Sequence, residues 1–334
     1  MMLGRGARML GPRKNWTMQA VVSNIEVLFL AMLAGLLTLL PLFVPVGGAL
    51  LLAFVPFPFI VLAVKYPWRY AVSLLGVEGG LILLGGQPQF LFILSQCGLV
   101  ALAMAWAIRR GWSISQTIVA SLMVPLGIGT LLWALYSTLA QPLPQEPLTR
   151  YFDKAVSLSQ TYVQALEQMQ EGEEEQLAAL VEALPQLLLA ILPALVVISH
   201  LFMNVLNYIA VRRYCRRSQP PLRLDPDDLL CWRASDYLVW VFLASGAAML
   251  IPLDTVSTMG LNVLLVTLAI YFLQGVAIAL FWGRRLPFPP GVLWPVAAVV
   301  FLITGLLSVA VCTAAGLFDL WVDFRRQRRH SLLP

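Results

Sequence analysis

The chain has 334 residues, 60% of them hydrophobic and 12% charged, with a formal net charge of +5, whereas a soluble globular domain carries about 25% charged residues. That composition describes an integral membrane protein and leaves no room for a soluble catalytic domain. The basic residues are scattered at the ends of apolar stretches rather than gathered on one face, so orientation in a bilayer explains the positive balance and nucleic acid is not expected as a partner.

Residues 1–23 form a basic segment ahead of an apolar run from about 24 to 43. The run is too long for the core of a signal peptide, and no small-residue cleavage site follows, so it reads as an uncleaved first helix. A spanning helix needs about 20 apolar residues. Further spans fall at 47–64, 70–86, 89–108 and 115–139, separated by Pro41, Pro45, Gly47 and Gly48, by Gly85, Gly86 and Pro88, and by Gly111. These five spans make an N-terminal bundle over 24–140. An acidic stretch at 141–183 follows, in which Phe152, Val156, Tyr162, Val163, Leu166 and Met169 recur at helical spacing and predict an amphipathic helix over the bundle. A second bundle occupies 184–320, with spans at 184–211, 237–252 and 259–282, an apolar stretch at 291–318 and a basic tail at 321–334. The expected fold class is an all-α polytopic bundle of eight spans plus a C-terminal span or hairpin.

Loops rich in Lys and Arg stay on the cytoplasmic side. With the N-terminus inside, Lys65 and Arg69, Arg109 and Arg110, the stretch from Arg212 to Arg233, and Arg284 and Arg285 all fall there, while the acidic 141–183 loop is extracytoplasmic. One span at 291–318 would put Arg325, Arg326, Arg328 and Arg329 outside; two short passes hinged near Gly305 return them to the cytoplasm. Trp16, Tyr66, Trp68, Tyr70, Trp106, Trp112, Tyr214, Trp282 and Trp321 cluster near span ends, as interfacial aromatics do.

Polar residues inside spans are the candidates for function, because lipid offers them no partner. Glu78, in LLGVEGGLILLGG, is the sharpest: a carboxylate at a helix centre costs about 3 kcal/mol on insertion scales, and such residues line cavities or proton paths. In the 184–211 span, His200, Asn204, Asn207 and Tyr208 share one face, which points into the bundle for interhelical hydrogen bonds or for a substrate. Gln274 is a third inward candidate, and Glu26 sits at the start of the first span at interfacial depth. Ala31 and Gly35 form a small-x-x-x-small pair that permits close helix contact, within the chain or with a partner subunit. No nucleotide-phosphate loop, dinucleotide fingerprint or H-E-x-x-H motif occurs, and the chain has only 2 His, so no catalytic residue, metal site or cofactor is expected. Cys97, Cys215, Cys231 and Cys312 form no C-x-x-C pair and read as reduced thiols.

The segments FVPFPFIVLAVKYPWRYAVSLLGVEGG (54–80), LPALVVISHLFMNVLNYIAVRRYCRR (192–217), YFLQGVAIALFW (271–282) and GLFDLWVDFRRQRR (316–329) resemble the YybS-like family of predicted bacterial membrane proteins, defined by a domain of unknown function. The resemblance implies a bacterial inner-membrane location and a membrane core similar to the S-components of energy-coupling-factor transporters. In those proteins a small-x-x-x-small pattern on the first helix docks the coupling subunit, and Ala31 and Gly35 match its spacing. This chain departs from the usual S-component in its length, extra spans and acidic loop. The leading expectation is a module that binds or moves a small molecule through a cavity lined by Glu78, His200, Asn204, Asn207 and Gln274, with energy supplied by another subunit. The rival is a membrane scaffold or accessory protein of envelope or division machinery that docks partners through its acidic loop and basic ends.

Overall fold

The computed structural model describes residues 14–43, 51–85, 89–139, 174–217, 229–285, 287, 295–296, 299–301 and 303–325. Among them the secondary structure is helical throughout: α1 (Lys14–Phe43), α2 (Pro56–Lys65), α3 (Trp68–Leu84), α4 (Gln89–Arg109), α5 (Ile114–Leu139), α6 (Glu174–Arg217), a 3-10 turn at Leu229–Cys231, α7 (Leu238–Met249), α8 (Asp254–Gly283) and α9 (Leu306–Val322). Helices are the form in which a single segment satisfies all its backbone groups in lipid. Three are long and apolar enough to cross a membrane, over Ile114–Leu131, Leu187–Arg216 and Asp254–Gly283, and shorter apolar helices accompany them. The amphipathic helix expected within 149–170 lies outside the described residues.

The chain divides into two compact units, Met1–Pro125 with Met203–Asp225, and Leu126–Phe202 with Pro226–Pro334.

In the first unit α2 is the core. Val55, Phe59, Ile60, Val61 and Leu62 have almost no exposed surface, and a helix apolar on every side is one enclosed by others. Its limits are set by proline. Tyr66, which precedes Pro67, is held extended and closes α2, and α3 starts at once with Trp68. At the other end Pro56 and Pro58 occupy the first turn, behind a tight turn in which the Phe54, Val55 and Phe57 N–H groups donate to Leu51, Leu52 and Phe54. The apolar run at 47–64 predicts one span; over its described residues the structure instead gives helical Leu51 and Leu52, this turn and a helix of 10 residues, about 15 Å long. Gly111, at φ +70°, turns the chain out of α4. Ser113 and Gln116 then cap α5 reciprocally, each backbone N–H donating to the other's side-chain oxygen.

In the second unit α7 and α8 form a hairpin in which a Cβ at Gly260 would stand 2.9 Å from the Ser245 carbonyl and the Ala248 methyl. α8 and α9 cross at backbone contact: a Cβ on Gly275 would fall on the Cys312 carbonyl, and one on Gly316 on the Tyr271 carbonyl. Lipid tails are as apolar as leucine, so small residues that let backbones meet are what hold such a crossing. α6 carries Pro193, which has no N–H for the Leu189 carbonyl. One turn of the helix is bridged by Asn262 of α8, whose Oδ1 accepts the Ala194 N–H at 2.8 Å and whose Nδ2 donates to the Ala190 carbonyl at 2.7 Å. Those two backbone groups would bond each other in an unbroken helix. Gly305, at φ +45°, precedes the start of α9 at Leu306.

Candidate functional site

At one end of the first unit stands a polar plate. Glu26 of α1 accepts hydrogen bonds from the Lys65 ammonium, from the Tyr66 hydroxyl at 2.7 Å and from the Tyr214 hydroxyl at 2.7 Å. Arg109 ends α4 by donating to the Val64 and Tyr66 carbonyls that α2 leaves free at its C-terminus. The plate therefore ties α1, α2, α4 and α6 together at one level.

Counting from that plate locates the deeper polar groups. At 1.5 Å per residue, Thr38 on α1 lies about 18 Å beyond Glu26, Glu78 on α3 about 15 Å beyond Trp68, Gln96 on α4 about 20 Å beyond Arg109, and Asn204 on α6 about 15 Å before Tyr214. A hydrocarbon core is about 30 Å thick, so each of these four residues stands, along its own helix, at a distance from the plate that corresponds to mid-depth, and the four are grouped as the mid-depth layer. Cross-helix contacts agree: the Thr38 hydroxyl donates to Glu78 Oε2 at 2.8 Å, and a Cβ on Gly98, beside Gln96 and Cys97, would touch Leu75, one turn from Glu78, at 3.1 Å.

The layer is incompletely paired. Glu78 is 4% exposed and Asn204 fully enclosed, yet Glu78 Oε1, Gln96 Nε2 and both amide atoms of Asn204 have no hydrogen-bond partner among the described residues. A buried polar group without one costs about 1–3 kcal/mol by protein mutational data and more in lipid. Asn207, one turn along α6, is engaged: its Nδ2 donates to the Ala53 carbonyl at 2.6 Å and to Met203 at 2.7 Å. That bond fixes the turn ahead of α2, so the break in the helix stands at the same depth as the layer.

Glu78, Asn204 and Asn207 thus belong to the first unit; His200 and Gln274 belong to the second. The ring of His200 is partly exposed, and its Nδ1 lies 2.9 Å from the Val196 carbonyl of its own helix. Gln274 uses both ends of its amide. Its Oε1 accepts the Ala234 N–H at 3.0 Å and its Nε2 donates to Asp319 Oδ2 at 3.0 Å. Asp319 also accepts from Arg325 at 2.8 Å and from the Phe324 N–H at 3.0 Å, while Arg325 donates to the Leu230 and Trp232 carbonyls at 2.8 Å. The result is a buried clasp that fastens the end of α9 to the segment ahead of α7. Asp319, Thr38, Gln96 and Asn262 escape a reading of the sequence: the amides and hydroxyl draw no notice in apolar runs, and Asp319 stands so near the chain's basic tail that interfacial depth suffices to explain it. Gly35 has open space where a Cβ would stand, among the described residues, and Ala31 is half-buried, so the structure does not use this pair for close packing of its own helices.

A family described as predicted membrane protein (DUF2232) matches residues 28–320. The chain belongs to this family. The match spans both units of the DUF2232 protein, from α1 to the clasp. No curated protein and no solved structure matches it.

Proposed function

We propose that this DUF2232 protein is a membrane-embedded module that binds or moves a small molecule, and that the ligand is taken at mid-depth in the first unit. The observation that carries the reading is the layer of Glu78, Gln96 and Asn204, in which four enclosed polar atoms lack partners beside a helix that stops halfway. Broken helices at the bilayer midplane are where transporters place substrate sites, because irregular backbone is tolerated there only against protein or a cavity. Asn204 supplies a donor and an acceptor, Glu78 an acceptor and a charge, and Asn207 pins the turn at the break through the Ala53 carbonyl. The likeness to S-components of energy-coupling-factor transporters fits this reading. It makes α1, with Ala31 and Gly35, the face for a coupling subunit that supplies the energy. The same reading takes the chain as a bacterial inner-membrane protein with its N-terminus in the cytoplasm and eight passes, the second of them broken at 53–55, followed by a hairpin.

Purification tests it. A small molecule should copurify with the wild-type protein and be lost, by mass spectrometry of the extracted ligand fraction, from Glu78→Ala and Asn204→Ala. Wild-type protein that carries no small molecule and holds a stoichiometric protein partner would instead establish the scaffold.

A further inference from the structure

Resting on that reading of the mid-depth layer, we infer that its ligand carries an ammonium-type positive charge, held by the free oxygen of Glu78. Three observations lead there. First, Glu78 has one oxygen satisfied by Thr38 and the other enclosed and unpaired. Second, it stands alone in charge. Among the described residues of the first unit, Glu26, Lys65, Arg69, Arg109, Arg110, Arg212, Arg213 and Arg216 all lie toward the plate end, about 12 Å or more along their helices from the mid-depth residues, and none of them forms an ion pair with it. Third, the broken helix offers an anion nothing. A helix N-terminus attracts anions through free N–H groups, but Pro56 and Pro58 have none, and those of Phe54, Val55 and Phe57 are spent within the turn.

The remaining free atoms complete the site for an organic cation. Asn204 Oδ1 is a second acceptor, while Asn204 Nδ2 and Gln96 Nε2 are donors for a carbonyl or hydroxyl elsewhere on the ligand. A multivalent metal is the wrong occupant, because no group of three His, Cys, Asp or Glu among the described residues could hold one. The mid-depth position also sets the source: a lipid ammonium stays at the headgroup level, half a hydrocarbon core away, so the ligand is a free small molecule.

Charge-selective labelling of one introduced thiol tests this. Asn204→Cys, in full-length protein in nanodiscs, is treated with trimethylammonioethyl or with sulfonatoethyl methanethiosulfonate, and modification is read site by site by peptide mass spectrometry. The exposed native Cys231 corrects for the intrinsic difference between the reagents. The cationic reagent should be favoured at position 204 by roughly tenfold over the ratio at Cys231, as expected for a unit charge acting within a partly dehydrated site. Glu78→Gln, which keeps an acceptor for the Thr38 hydroxyl, should abolish the preference. Reaction of both reagents without preference, or preference for the sulfonate, overturns the cationic ligand and leaves a neutral or anionic site standing. Reaction of neither at position 204 nor in Gln96→Cys overturns the site itself. Gln96→Cys also serves if Asn204→Cys does not fold.

Discussion

Asn204 separates a packing residue from a ligand residue. Removing an unsatisfied buried amide in favour of an apolar side chain of similar size is neutral or stabilising, whereas removing a paired one is costly. Asn204→Leu should therefore raise the thermal midpoint of the ligand-free protein, by the equivalent of about 1 kcal/mol, and abolish ligand retention. Asn207→Leu should do the reverse to stability, because the Ala53 carbonyl loses its donor at 2.6 Å. Thermal denaturation of the two variants in one detergent checks the pair; equal destabilisation by both would make Asn204 an ordinary packing residue. Asp319 and Arg325 belong at this scale too. Both are almost wholly enclosed, and breaking a buried ion pair from one side costs about 3–5 kcal/mol. Arg325→Ala should lie in that range. Asp319→Ala with Arg325→Ala should cost clearly less than the two singles added, a double-mutant cycle that the shared hydrogen bonds demand.

At the scale of the element, proline and glycine explain most departures from regular helix, and part of this is legible in sequence. The bounds predicted at 70–86, 89–108 and 237–252 match those of the helices α3, α4 and α7 to within a few residues, with Pro67, Gly85 and Gly111 punctuating the first two where the chain turns. The helices long and apolar enough to cross a membrane answer to the runs predicted at 115–139, 184–211 and 259–282. The 47–64 run misleads because hydropathy is blind to the turn at 53–55: its residues are as apolar as those of α2 and differ only in backbone path. Partners were beyond reach for another reason. Periodicity assigns a face, yet Glu78 meets Thr38 across 40 positions and Asn207 meets Ala53 across 154, and nothing local encodes such pairings. Pro193 is visible in the sequence, whereas the side chain that mends its helix is not. From the geometry, Asn262→Ala should destabilise the protein by about 2 kcal/mol, since it strands the Ala194 N–H and the Ala190 carbonyl. In a Pro193→Ala background, where those groups can pair directly, the same substitution should cost less than half as much. Equal costs in the two backgrounds, measured by thermal or denaturant unfolding, would show that the amide merely packs.

For the whole molecule, the clasp bears on a matter of direction that charge alone left open. Arg325 is bonded to the Leu230 and Trp232 carbonyls, and Arg233 donates to Leu320 at 3.3 Å, so α9 ends beside the start of α7. α7 and α8 form a hairpin through the turn at 250–253, which stands at their opposite end. α8 then returns past Gln274, whose side chain meets both the segment ahead of α7 and the end of α9. With α9 ending on the side where α7 begins, α8 ends and α9 starts at opposite ends of the hairpin, which favours a return pass between them. Placing the basic tail with the basic 212–233 stretch also satisfies the distribution of Arg. Sidedness of labelling tests it: in sealed vesicles of one orientation, an impermeant maleimide should reach native Cys231 and a His330→Cys thiol from the same side. It should reach a Leu253→Cys thiol, in the exposed turn, only from the other. A His330→Cys thiol that labels together with Leu253→Cys would mean a single pass after α8, and the clasp could not then form in the membrane.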